Sequence, residues 1–136
     1  MRYFICASGG VCLAIPAERA ERIIPVSRHQ TVLCETEDQT CYISLPVLLR
    51  EEDTSVLHGV VLKGGADPAI RSILLVSKID VDLEIPEEEI HPLPGSFGGV
   101  YTYFRGVCFG SQGLILVLIP EKLLEVRSEN KNTGRN

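Results

Sequence analysis

The sequence is short of several features that would name an activity. It has no Lys/Arg-rich stripe: 13 basic against 18 acidic residues leave a net charge of −5. The basic surface that binds nucleic acid or an anionic membrane is therefore missing, and neither is expected as a partner. The apolar opening MRYFICASGGVCLAIP has only Arg2 ahead of it and breaks at Ser8-Gly9-Gly10. That is too short and too interrupted for a signal core or a membrane span, so no membrane insertion is expected and the stretch is read as two strands. No G-x-x-x-x-G-K-[ST], G-x-G-x-x-G, H-E-x-x-H or G-x-S-x-G occurs, which removes the phosphate cradle, the dinucleotide turn, the zinc-protease helix and the nucleophile elbow. There is no internal repeat and no parallel βαβ alternation, so a nucleotide-binding α/β sheet is not expected.

Cysteines are present but badly spaced for metal. Cys6, Cys12, Cys34, Cys41 and Cys108 form no C-x2-C or C-x4-C, and four of the five sit in apolar, strand-like runs, where free cysteine behaves as a small buried hydrophobe. Reduced cysteines, and no metal or cofactor, are the expectation, although Cys34 and Cys41 can face each other across a hairpin. The histidines are scattered: His29, His58 and His91 are not grouped in sequence as ligands. Glu87-Glu88-Glu89 reads as a solvated loop, because a Ca²⁺ site needs ligands spaced around a turn. Trp is absent and aromatics make up 6%. With so few, Tyr101, Tyr103 and Phe104 are assigned to the core ahead of a second apolar surface.

What is present is a series of short strands. Residues 3–8 and 11–15 read as a hairpin; AERAER after Pro16 as one or two helical turns reaching Ile23-Ile24 and stopping before Pro25; 31–35 and 40–44 as a second hairpin turning at Glu37-Asp38-Gln39; and LPVLLREE as a short helix. VLHGVVLK and SILLVSK are almost wholly apolar around the turn GGADP, as strands buried on both faces would be. IDVDLEI alternates, with Ile79, Val81, Leu83 and Ile85 on one side and acids on the other. PEEEIHPLPGSFGG is loop-like, VYTYFRGVCF and GLILVLI make a last hairpin, and Pro120 opens a helix whose Leu123 and Leu124 pack back on the sheet. The fold class is mainly β with a few short helices, over residues 1–126, followed by a polar tail, 127–136, expected to be disordered.

The order IHPLP, a glycine-rich loop, YFRGV and then GLILVLIPEKLL resembles the C-terminal half of the CheW-like domain, the coupling module of bacterial chemotaxis. The opening YFICASGGVCLAIPAERAERII, the SLPVLLRE helix and the ILLVSKIDVDLEI strand pair are similar to the matching parts of that family, so the resemblance runs over residues 3–125. It implies one domain of two intertwined five-stranded β-barrels around a shared core, with no catalytic site. It also implies a cytoplasmic adaptor that binds the regulatory domain of a chemotaxis histidine kinase or another CheW-like domain, with the chemoreceptor as a further partner.

Several departures bear on that last partner. Family members carry a longer segment, with P-x-hydrophobic-x-G and N-x-R-G steps, where this chain has only IPVSRHQTVLCETEDQT. The family arginine tied to receptor contact falls near Thr36, between Glu35 and Glu37, a local charge reversal that argues against ordinary receptor coupling. Arg22 stands where Glu is common and Ser77 where Asp is. Ile119 replaces a capping Asp, which weakens helix initiation by about 1 kcal/mol unless Leu123 and Leu124 compensate. The candidate partner-binding residues are Ile23, Ile24, Val26, Val32 and Leu33, in or beside the shortened segment, and Arg105. For each apolar one the alternative is core filling, and for Arg105 an ordinary surface contact. Two rival functions stay open: an adaptor of another two-component or motility assembly, and a small β-barrel enzyme using a cysteine with His58 or His91.

Overall fold

The computed structural model describes residues 1–8, 11–64, 69–93, 99–110 and 113–125. The turn at Gly9-Gly10, most of GGADP, the loop at 94–98, the turn at 111–112 and the polar tail lie outside the described residues. Ten strands run in chain order: β1 Arg2–Ser8, β2 Val11–Pro16, β3 Ala20–His29, β4 Cys34–Glu37, β5 Thr40–Ser44, β6 Ser55–Leu62, β7 Arg71–Val76, β8 Lys78–Glu84, β9 Phe104–Gly110 and β10 Gly113–Leu118. A short helix, α1 Leu45–Leu48, follows β5, and residues 120–125 are helical.

The strands form two five-stranded sheets, ordered β8-β1-β2-β10-β9 and β3-β6-β7-β5-β4. Both have the same pairing pattern: one parallel step, β2 with β10 and β5 with β7, among antiparallel ones. The apolar side chains divide into three cores. Leu13, Ile15, Leu116 and Leu118 from the first sheet meet Ile43, Val60, Leu62, Leu74 and Val76 from the second in one shared core. On its other face the first sheet buries Tyr3, Ile5, Ala14, Ile115 and Val117, and the second buries Val56, Val61, Ile73 and Leu75. Central strands thus bury both faces, which is why GLILVLI and SILLVSK have no polar alternation. The expectation of a mainly β fold in two five-stranded subdomains agrees with this arrangement.

Neither strand ladder closes on itself. A connecting segment spans each gap instead. In the first subdomain, residues 85–91 leave β8, bury Ile85 and pack Ile90 in that sheet's own core, and reach β9, where His91 and Val107 exchange two backbone hydrogen bonds of 2.8 Å. Gly106 makes this possible: a Cβ there would stand 2.5 Å from the His91 carbonyl oxygen. In the second, residues 30–33 leave β3 for the β4–β5 hairpin, and the Ser44 N–H donates to the Leu33 carbonyl at 2.8 Å.

Four local expectations are corrected. AERAER gives a single 3-10 turn, Ala17–Arg19, and β3 then runs straight through Pro25. Pro25 is tolerated because β3 is an edge strand and its register shifts between Pro25 and Arg28, the places where a strand accepts a residue lacking an N–H. LPVLLREE yields only Leu45–Leu48. Ser44 caps it, its hydroxyl accepting from the Val47 N–H at 3.3 Å. Arg50, at φ +57°, ends it, with Arg50 N–H donating to Val47 and Glu51 N–H to Pro46, a Schellman pattern with arginine in the left-handed position. The β8 alternation is split by a bulge opposite Phe4 and Cys6. Ile79 packs on the shared core, Ile85 belongs to the first sheet's own core, and Leu83 is exposed. Finally, residues 99–103 form a 3-10 turn, so the last hairpin begins at Phe104.

Candidate partner-binding surfaces

The shortened segment is the most heavily tied part of the second subdomain. Arg28, at the far end of β3, crosses the gap between the two edge strands. Its guanidinium pairs with Glu35 at 2.8 Å and Glu37 at 3.2 Å on β4 and lies 3.8 Å from the centroid of the Tyr42 ring. The two carboxylates that reverse the charge around Thr36 are thereby neutralised from another strand. Gln30 is buried, and its Nε2 donates to the carbonyls of Val32 and Tyr42, both at 3.0 Å, giving the connection the backbone partners that a ladder would have supplied. Asp38 and Gln39, both at positive φ, make the two-residue turn between β4 and β5.

Within this frame the expected partner-binding residues separate. Ile24 and Val26 are half-buried and pack into the second sheet's own core, and Leu33 packs on the shared core. Ile23 is exposed on the edge strand, and Val32 keeps 50% of its surface. Arg105 lies on β9 of the other sheet, paired with Glu87. The guanidinium's hydrogen bond holds the Glu87 carboxyl below the usual glutamate range. The six residues do not make one surface; Ile23 and Val32 are the two apolar ones that stay exposed.

A second exposed group was not expected. Phe109 and Leu114 are directly opposed across the β9–β10 hairpin, 74% and 52% exposed, and the His91 ring stands 6.3 Å from that of Phe109. Phe104, by contrast, is buried, and Tyr103 is half-buried against the shared core; the side chain of Tyr101 lies outside the described residues. The one hint in the sequence was position: Phe109 and Leu114 flank the glycines Gly110 and Gly113.

The thiol chemistry differs from expectation. Cys34 and Cys41 are joined in a disulfide across the β4–β5 hairpin, with their Cα atoms 6.4 Å apart, inside the span of about 4.4–6.8 Å that such a bond reaches. Cys6, Cys12 and Cys108 are free. Burial pushes the Cys6 thiol up to about 12 and raises Cys108 as well, the opposite of what a nucleophile needs. The His58 Nδ1 hydrogen-bonds the Ser77 carbonyl at 3.3 Å, and His91 faces Phe109. One cleft, of about 360 Å³, is lined among the described residues by Glu21, Lys63, Arg71 and neighbouring aliphatic groups; another of about 200 Å³ lies between Arg19, Arg105 and Glu121. Neither has a cysteine or histidine in its described lining. Among the described residues, no three metal-ligating side chains cluster, and no helix is long and apolar enough to cross a membrane.

No family model and no curated protein matches the chain. Solved structures do: the scaffolding protein TtCheW from Thermoanaerobacter tengcongensis superposes with a TM-score of 0.67, covering 87% of this chain and 88% of its own, at 10% identity. The chain has a CheW-like fold. At that identity the likeness lies in how the strands are arranged and paired and leaves the surface chemistry to be argued from the residues themselves.

Proposed function

We propose that this chain is a divergent CheW-like adaptor, a non-enzymatic cytoplasmic scaffold of chemotaxis-type signalling. It docks the regulatory domain of a histidine kinase or another CheW-like domain. The observation that carries the reading is the fold likeness to a scaffolding protein over nearly the whole of both chains. Exposed Ile23 and Val32 beside the second subdomain's edge, and the absence of any depressed thiol among those whose shift is resolved, agree with it. The chemoreceptor is a weaker candidate partner, because Thr36, between two glutamates, stands near where the family's receptor-contact arginine falls. No observation favours the cysteine-dependent enzyme.

The test is direct binding of the purified chain to a purified kinase regulatory domain, followed by calorimetry, with Ile23→Glu and Val32→Glu as variants. Both positions are exposed, so the fold should survive. Saturable binding, weakened roughly tenfold or more by either charge, is the expected result, since a carboxylate left unpaired in an apolar contact costs more than 1.4 kcal/mol. No binding by the folded chain would reject the kinase partner. Binding indifferent to both variants would remove the β3 edge from the interface.

A further inference from the structure

We infer that Cys34 and Cys41 form a reversible thiol–disulfide site, with low-molecular-weight thiols and disulfides as its substrates, and that its state sets how firmly the edge strand β4 is held. Topology carries the inference. The bond joins the outermost strand of its sheet to the strand beside it. The two cysteines are not a directly opposed pair: Cys34 faces Ile43 and Cys41 faces Thr36, so the link runs diagonally and ties the first residue of β4 to the strand beside it. Val32, the most exposed apolar residue of the shortened segment, lies two positions before Cys34. Three other cysteines stay free in the same chain, which is not the composition of a domain built on disulfides. The compartment argument rests on the adaptor reading: inside a cell that keeps thiols reduced, a disulfide of this kind is usually transient or sensing.

The two sulfurs are not equivalent. Cys41 lies on β5, flanked by β4 and β7, and is fully buried; Cys34 opens the edge strand and retains 4% of its surface. Both sulfurs are buried, so attack requires β4 to part locally from its sheet, which uncovers Cys34 on the edge strand before Cys41 between β4 and β7; the incoming thiolate then forms a mixed disulfide at Cys34, with Cys41 leaving as the thiolate. A second small thiolate attacks the outer sulfur of the mixed disulfide, releasing the small disulfide and the Cys34 thiol. In the reverse direction glutathione disulfide takes the two electrons, giving the protein disulfide and two molecules of glutathione, with the protons passing from the protein thiols to the released ones. In the reduced state β4 keeps its ladder to β5 and the two carboxylate contacts with Arg28, so reduction loosens the edge without unfolding the domain.

The wild-type chain is equilibrated in glutathione buffers from fully oxidised to fully reduced. Its thiols are then trapped by alkylation under denaturing conditions and read peptide by peptide, and amide exchange is followed in the same buffers. The expected result is conversion of the 34–41 pair within the buffer range, with exchange in residues 32–37 rising on the order of tenfold while β6 and β7 stay protected. In Cys41→Ser, the glutathione adduct should form on Cys34. A pair that stays oxidised at the most reducing ratio, or stays as thiols at the most oxidising, overturns the proposal; so does conversion with no change in exchange. The titration uses wild-type protein and no partner, so it stands even if Cys41→Ser does not fold. A failure to bind the kinase domain in both redox states would count against the adaptor reading and leave this result in place.

Discussion

The guanidinium carbon of Arg28 stands over the Tyr42 ring, 3.8 Å from its centroid, while the guanidinium nitrogens reach Glu35 and Glu37 on the opposite edge of the sheet. A side chain thus does at this gap what hydrogen bonds between strands do elsewhere. Arg28 is only 17% exposed, so its ring contact acts partly out of water, whereas Glu35 and Glu37 keep 46% and 60% of their side-chain surface and their ion pairs contribute less. Arg28→Ala is expected to lower stability by about 1–3 kcal/mol in urea unfolding. Arg28→Lys should recover only part of that, because an ammonium cannot stack and pair with two carboxylates together. Wild-type stability in Arg28→Ala would show that the second subdomain is held by its apolar core alone.

Gly106 plays the corresponding part in the first subdomain. A methyl group there meets backbone, the His91 carbonyl, and also comes within 2.9 Å of the Ile90 side chain. Relief requires the segment 85–91 to move off β9, breaking the His91–Val107 pair. Gly106→Ala should cost about 1–3 kcal/mol and raise amide exchange at His91 and Val107 first. An unchanged unfolding midpoint would mean that the closing segment gives way freely.

These two closures explain what the sequence revealed and what it hid. Strands buried on both faces were legible because unbroken apolar runs such as SILLV have few other uses in a chain this size. Leu123 was placed correctly for the same reason: it is fully buried in the shared core, so packing compensates for the missing cap at Ile119. The β3 strand was missed because local propensity in AERAER points to helix, whereas pairing with β6 from Ala20 to His29 decides the outcome. The candidate surface suffered similarly. Ile24 and Val32 look alike in sequence, and only the burial of one and the exposure of the other tells core from contact. The Cys34–Cys41 bond turned on hairpin register, which spacing alone does not fix.

Arg50 holds a left-handed conformation at the end of α1, where a residue with a Cβ is strained and glycine is not. The same position supplies an N–H to the Val47 carbonyl, so the backbone needs the conformation whichever side chain is present. Arg50→Gly should therefore raise stability, by roughly 0.5–1 kcal/mol after the added freedom of the unfolded chain is discounted. Thermal or urea unfolding decides it, and a destabilised variant would mean that the arginine side chain makes a contact outweighing the strain.

Acid should loosen the first subdomain through its exposed ion pairs. The Arg105 guanidinium lowers the Glu87 carboxyl from its ordinary 4.5, and Arg2 lowers Asp82 from 3.8, in each case chiefly by a direct hydrogen bond. A carboxylate whose folded value lies below its unfolded one stabilises the fold at every pH above the unfolded value, and loses that contribution as pH falls through the folded value. The window therefore opens near 4.5 for Glu87 and near 3.8 for Asp82, and extends downward. Glu87 joins the closing segment to β9, so its protonation removes a contact beside the His91–Val107 bridge. Both carboxylates are exposed, which makes the effect small and open to screening by salt. In urea unfolding between pH 6 and pH 3, Glu87→Gln should show a shallower loss of stability than wild type. The difference should shrink as salt is raised and vanish above pH 6 apart from a constant offset. Parallel pH profiles for the two proteins would show that Glu87 and Arg105 are neighbours without energetic coupling.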